Sequence, residues 1–226
     1  MANGGVGLTQ LMKSYWNARY MGGHIWGDEV CPSAVMAGDG FHRYQVSDVL
    51  VPGCGYGRNS LWLAKRGFHV TAFDVADKAI ELAIEQSHDE SFDIEYYVAD
   101  VFDDSLLLGR QFDGIYLSNV IHLLLAEERK KLIDRLTSLL KPHGILTFSC
   151  MSEFDKNNYG IGVEVEPNTF EKHTGKPLHF FSEEEIRGML SSAYEVLECK
   201  LHTQTETDPS GETEDLQLWF VVSKKI

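Results

Sequence analysis

Residues 49–57 read Val-Leu-Val-Pro-Gly-Cys-Gly-Tyr-Gly, and no other stretch restricts the fold as strongly. The apolar run 47–51 stops at Pro52-Gly53, and a segment with helical apolar spacing, 59–65, begins just beyond it. A short apolar run bounded by Pro and Gly reads as a buried strand. Gly53, Gly55 and Gly57 therefore stand at alternate positions of a strand-to-helix turn. Glycine suits such a turn because it has no side chain to hold a ligand away from the backbone, and because it adopts positive φ readily. In open α/β sheets ligands sit at the carboxyl ends of the strands, where this turn lies.

The chain then repeats the pattern. Strands are expected at 68–73, 94–98, 114–117 and 145–150, and helices at 77–86 and 126–140, the last closed by Lys141-Pro142-His143-Gly144. Strands alternating with helices pair in parallel through right-handed crossovers. Near the C-terminus the rhythm changes. Ser182 and Glu185 have the spacing of a capping box opening a helix to Leu190. Residues 194–201 and 216–222 read as two strands, with a turn at Asp208-Pro209-Ser210-Gly211. With no helix between them they should pair antiparallel. The expectation is one α/β domain over 1–226 on a doubly wound, Rossmann-like, seven-stranded sheet, mostly parallel with an antiparallel last strand. Residues 1–44 and 152–179 stand outside the alternation.

Two acidic residues follow the glycine turn. Asp74 ends the second strand about twenty residues on, where a carboxylate reaches ribose hydroxyls; capping the next helix is the alternative. Asp100, in Ala99-Asp100-Val101-Phe102, ends the third strand. It can accept from an adenine amino group while Val101 or Phe102 packs on the ring, or it can be an ordinary loop residue. A dinucleotide fingerprint G-x-G-x-x-G counted from Gly53 needs glycine at 58, where the chain has Arg58.

The net charge of −14 repels a phosphate backbone, so no nucleic-acid partner is expected. The densest basic cluster, Arg129-Lys130-Lys131, lies beside Glu127 and Glu128 and reads as a solvated helix face. No apolar run approaches the roughly 18 residues of a membrane span, and residues 1–7 lack signal-peptide character, so a cytoplasmic location is expected. Cys31, Cys54, Cys150 and Cys199 are widely spaced, without a CxxC pair, and read as free thiols. His173 and His179 with Glu164 and Glu166 lack a diagnostic metal spacing, and no metal is expected.

Taken with Trp16-Asn17-Ala18-Arg19-Tyr20, Ile25-Trp26-Gly27-Asp28-Glu29, Gly53 to Asn59, Trp62-Leu63-Ala64 and Gly67, the chain resembles the class I S-adenosylmethionine (SAM)-dependent methyltransferases. The resemblance is to the tellurite-resistance and thiopurine (thiol) methyltransferase branch. Phe112 to Tyr116, His122-Leu123 and Lys141 to Gly144 continue it, from about Tyr15 to Phe148. Pro52 departs from the acidic residue or leucine of many relatives. The resemblance implies SAM as cofactor. It places Gly53, Gly55 and Gly57 at its methionine part, Asp74 at the ribose and Asp100 at the adenine, with Cys54, Arg58, Val75, Val101 and Phe102 also expected to bind the cofactor. Ser118 is expected beneath the cofactor near the reacting methyl. Residues 1–44 are expected to fold over the site as a lid that brings Trp26 to the methionine end.

A sulfonium methyl is already electrophilic, so a thiolate or oxyanion acceptor needs no base, whereas an acceptor that arrives protonated does. His122, Tyr15 and His24 are the candidates for that role. The expected acceptor is a small molecule: a thiol, an oxyanion or a secondary metabolite. Residues 152–179 are expected to cover its site, because a connection that long is usually functional when ordered. Other uses of SAM, or cofactor binding without turnover, are the competing readings.

Overall fold

The strands of the alternation lie side by side in a computed structural model, which describes residues 5–88, 92–103, 105–173, 175–207 and 211–226. The chain runs α1 (Gly5–Tyr20), α2 (Pro32–Arg43), β1 (Asp48–Pro52), α3 (Arg58–Lys65), β2 (His69–Asp74), α4 (Asp77–Ser87), β3 (Ile94–Val98) and β4 (Phe112–Ser118). After a 3-10 turn at Ile121–Leu123 come α5 (Ala126–Leu139) and β5 (Leu140–Met151). There follow β6 (Val163–Glu166), β7 (Thr169–His173), β8 (Lys176–His179), α6 (Glu183–Leu190), β9 (Tyr194–Thr207) and β10 (Thr213–Lys225).

The main sheet has seven strands in the order β3-β2-β1-β4-β5-β10-β9. Neighbours among β1 to β5 pair in parallel, and β10 enters antiparallel between β5 and β9. This is the Rossmann-like architecture expected. β1 is apolar and buried from Val49 to Pro52 because both of its faces are covered there. Val49 and Val51 face Ala34, Ala37, Phe41 and Leu63 of α2 and α3. Leu50 faces Leu132 and Leu136 of α5, with Ile186 and Leu190 of α6 in the same core. The order reverses between β1 and β4, which opens the crevice where such sheets bind ligands.

Four expectations need correction. Residues 141–144 do not simply end α5. They bulge from the ladder between the pairs Phe112–Leu140 and Gly114–Ile145, with His143 at φ 63°, so Pro142 interrupts no sheet hydrogen bond. Residues 152–179 are not an irregular excursion, since β6, β7 and β8 form a separate antiparallel sheet within them. The capping box at α6 is half formed: Ser182 Oγ accepts from the Glu185 N–H at 3.1 Å, but the Glu185 carboxylate goes to His179 Nε2 at 2.9 Å. Arg129 is not on a solvated face. It is buried, donates to the Leu124 carbonyl at 2.7 Å, and lies 3.8 and 3.9 Å from Glu166 and Glu185. The expected turn residues 208–210 and residues 1–4 lie outside the described residues. Among the described residues no helix is long and apolar enough to cross a membrane.

Candidate active site

A cavity of about 1260 Å³ opens at the carboxyl ends of β1, β2 and β4, beside the loop that leaves β3. Gly53, Cys54, Gly55 and Arg58 line it from the turn after β1, Asp74 and Val75 from the end of β2, Asp100, Val101 and Phe102 from the loop after β3, and Ser118 from the end of β4. Trp26 closes one side. Gly57 alone of the expected cofactor residues is absent from the wall. Its φ is 83°, and a Cβ there would meet Tyr96 Oη at 2.7 Å and Ala83 Cβ at 2.9 Å. It is a packing glycine that lets α3 begin against α4 and β3.

The other two glycines are also demanded by the protein itself. Gly53 has φ 63° and a Cβ there would strike Val120 Cγ2 at 2.6 Å; Gly55 has φ 55° and its Cβ would strike Tyr20 Oη at 2.9 Å. Close approach is real, but the neighbours that enforce it are side chains of the fold.

Asp74 lies on the cavity wall and also holds the start of the next helix. Its carboxylate is buried, one oxygen accepting from the Gly55 N–H and the other from the Ala76 N–H, each at 2.9 Å. It thereby ties the glycine turn to the start of α4. Burial pushes its pKa up, and these backbone donors oppose the rise. Each carboxylate oxygen can accept a further hydrogen bond, so a hydroxyl in the cavity fits beside the existing donors. Asp100 spends one oxygen on the Phe102 N–H at 2.9 Å. Asn119, on the same wall as Ser118, holds φ 56° and accepts from Ser149 Oγ at 3.1 Å.

The segment between α1 and α2 is stitched to the glycine turn. Tyr56 Oη donates to the Gly27 carbonyl at 2.6 Å and accepts from the Trp26 N–H at 3.2 Å, and burial pushes its pKa up to about 12. The Arg58 guanidinium donates to the carbonyls of Trp26 and Gly27. Arg19 stacks on the Trp26 ring at 5.1 Å. Met12, Trp16 and Tyr20 of α1 complete this wall.

The three expected proton carriers fare differently. His122 lines the cavity, in surroundings that favour a hydrogen-bond donor over a base. Its Nδ1 accepts from the Met151 N–H at 3.2 Å, which leaves Nε2 carrying the proton as a donor, and burial with nearby His179 pushes its pKa down to about 3. Tyr15 does not reach the cavity wall; its ring lies under Lys176 Nζ at 3.6 Å and so joins α1 to β8. His24 is also off the wall, stacked on the Tyr56 ring at 4.6 Å and paired with Asp28.

Several wall residues escape a sequence reading. Glu171, Gly175 and Pro177 come from the separate sheet, and Glu206 and Leu216 from the long β9–β10 pair. Nothing in their local sequence separates them from surface positions. Tyr20 and Trp16 did carry a signal, since both stand in the aromatic motif of the first helix.

The wall has the parts an adenosyl sulfonium needs: an open backbone turn, a carboxylate at the end of β2, and an apolar pair beside a carboxylate after β3. Residues 49–144 match the methyltransferase domain family. The chain is 28% identical over 150 residues to the tRNA N(3)-methylcytidine methyltransferase Mettl2 of Drosophila melanogaster, covering 62% of this chain and 46% of that one. It thus spans less than half the length of that relative. Thiopurine S-methyltransferase of Legionella pneumophila is 25% identical over 169 residues, covering 68% of this chain and 76% of that enzyme. The structure superposes with a TM-score of 0.73 on the Burkholderia thailandensis 1,6-didemethyltoxoflavin-N1-methyltransferase, solved with its substrate and S-adenosylhomocysteine (SAH). That pair is 18% identical and covers 100% of this chain and 92% of the other. Residues 49–144 thus match a methyltransferase domain, the fold is that of SAM-dependent methyltransferases, and thiopurine S-methyltransferase is among the relatives.

Proposed function

We propose that this chain moves the methyl group of SAM to a small molecule, in one cytoplasmic domain whose residues 1–44 and 152–179 close over the acceptor. One observation carries the reading: eleven residues expected at the cofactor, from four separate segments and the α1–α2 connection, line a single cavity. The remaining wall, from α1, β7, β8 and β9–β10, is then the acceptor's share. Bound SAM supplies an activated methyl, so the protein's task is to orient the acceptor and exclude water. The Asp74 carboxylate holds the ribose, Asp100 with Val101 and Phe102 the adenine, and the backbone of Gly53 and Gly55 the methionine part. His122 Nε2–H and the side chains of Ser118 and Asn119 face the transfer end as donors. An acceptor that arrives as an anion needs nothing more. The four cysteines, free in the structure, suit a reducing compartment.

The Mettl2 relative, by its name, methylates tRNA, which gives a second reading. The charge of −14 opposes it, and among the wall residues Lys131 and Arg135 are offset by Glu128 and Asp134 on the same helix. One experiment separates the readings. The protein is incubated with SAM and either small thiols, oxyanions and phenols or unmodified tRNA, and products are resolved. SAH formed with a methylated small molecule is the expected outcome, together with no tRNA binding by fluorescence anisotropy at physiological ionic strength. Methylthioadenosine as product would indicate another use of SAM, and methylated tRNA would replace this proposal.

A further inference from the structure

β9 and β10 outrun the sheet that they belong to. β10 leaves β5 at the pair Leu218–Met151, whereas its pairing with β9 continues to Thr213–Thr207. The result is a two-stranded ribbon rising beside the cavity. Strand alternation puts Gln204 and Glu206 on one face of the ribbon, opposite Leu216 and Glu214. Glu206 and Leu216 both reach the cavity wall, as does Met151, whose apolar cluster Leu216 packs against. Gln204 is 2% exposed, and its Nε2 donates to Glu206 Oε1 at 2.8 Å. That bond fixes the carboxylate's direction. The Oε1 of Gln204 is itself buried without a donor.

Among the described residues no cation pairs with Glu206. Arg58 lies near enough to favour its charged form, but its guanidinium already serves the carbonyls of Trp26 and Gly27. Arg19 is likewise engaged on the Trp26 ring. Burial pushes the Glu206 pKa up and Glu214 across the ribbon pushes the same way, against the Gln204 hydrogen bond and the charges of Arg58 and Arg19. A partly buried, oriented carboxylate beside apolar side chains is what a site for a cation with an apolar body presents.

We propose that Glu206 determines acceptor specificity by pairing with an ammonium or other cationic N–H group of the methyl acceptor, while Leu216 and Met151 pack on its apolar part. The inference rests on the reading of this cavity as a SAM and acceptor site. Gln204 is a positioning residue, holding the carboxylate toward the ligand.

The test uses the full chain and three probes of one shape: benzylamine, benzyl alcohol and benzoate. SAH is titrated calorimetrically first, and each probe is then titrated into the SAH complex. The wild type should bind benzylamine at least about tenfold more tightly than benzoate, a difference typical of one charge-assisted pair. Glu206→Gln should keep SAH affinity within about twofold and lose that preference, while Glu206→Asp should retain part of it. A wild type without the preference, or a preference that survives in Glu206→Gln, overturns the inference and leaves the cofactor reading intact. Failure of the wild type to bind SAH overturns the cofactor reading and this inference with it.

Discussion

An alanine at position 55 would fail twice, once for its φ of 55° and again because its methyl would press into Tyr20 Oη. The same small volume of space is held by Asp74, whose oxygen takes the Gly55 N–H. Asp74→Asn replaces an acceptor that faces two backbone donors with a group that accepts at one end only. SAH affinity should fall by about 1.5–3 kcal/mol in calorimetric titration, the range for hydrogen bonds to a charged group. Unchanged affinity would mean that the adenosyl group is held without this carboxylate. His122 gives a second prediction. The unfolded chain takes up its imidazole proton near 6.5, whereas the folded chain does so near 3. Between those values the unfolded state holds the extra proton, so falling pH favours unfolding. Urea titrations should show wild-type stability dropping from pH 6.5 toward about 3 more steeply than that of His122→Asn, whose amide oxygen can still accept from Met151 N–H. Equal slopes would place the proton elsewhere. At this scale the sequence located the glycine turn but not the contacts that require its glycines. Gly53, Gly55 and Gly57 were legible from a turn that needs positive φ, but their neighbours Val120, Tyr20 and Tyr96 come from distant segments and no local pattern reports them.

Elements were legible wherever burial imposed a period. β1 and β3 and helices α3 to α5 agree with the sequence reading to within a residue or two, because apolar runs bounded by Gly, Pro or Asp leave few alternatives. Residues 163–179 were not legible. Val163 and Val165 alternate with Glu164 and Glu166 over only four residues, and both valines remain exposed, so the strand is set by its partner and not by a core. That separate sheet is nevertheless anchored. Glu166 accepts from the Ala126 N–H at 2.9 Å, capping α5 from outside, and lies 3.8 Å from Arg129. His179, buried, links Thr169 at 2.8 Å to Glu185 at 2.9 Å. Excising 152–179 would therefore strip a cap from α5 and one of the two carboxylates beside Arg129, so loss of turnover in such a deletion would not isolate the acceptor site. A milder change is more informative. Glu166→Ala should cost about 1 kcal/mol of stability in urea, as other N-cap losses do, while leaving SAH affinity unchanged. No stability loss would show that the sheet is held without this contact.

Over the whole molecule, the order β3-β2-β1-β4-β5-β10-β9 was foreseeable in its parallel part from the alternation of strands and helices. The extra length of β9 and β10 was not, because Thr203, Thr205 and Asp215 look like loop residues until their partner strand pairs with them. The helix α1 is likewise set by distant contacts. Lys13 meets Asp77 at 2.9 Å, and Asn17 Oδ1 accepts from the Lys78 N–H at 2.9 Å. The first helix is thus clamped at α4, at the glycine turn through Tyr20, and at β8 through Tyr15. In the proposed lid arrangement, a molecule held between that helix and the turn would leave by parting one of these clamps. Chemistry and escape would then be separate events with separate barriers, and the slower is expected to be the parting of α1 from α4. Rapid mixing with SAM and an accepted substrate should give a burst of one product per protein, followed by a slower steady rate, and Asn17→Ala should raise only the second phase. Accumulation without a burst would mean that the doorway opens faster than the methyl moves.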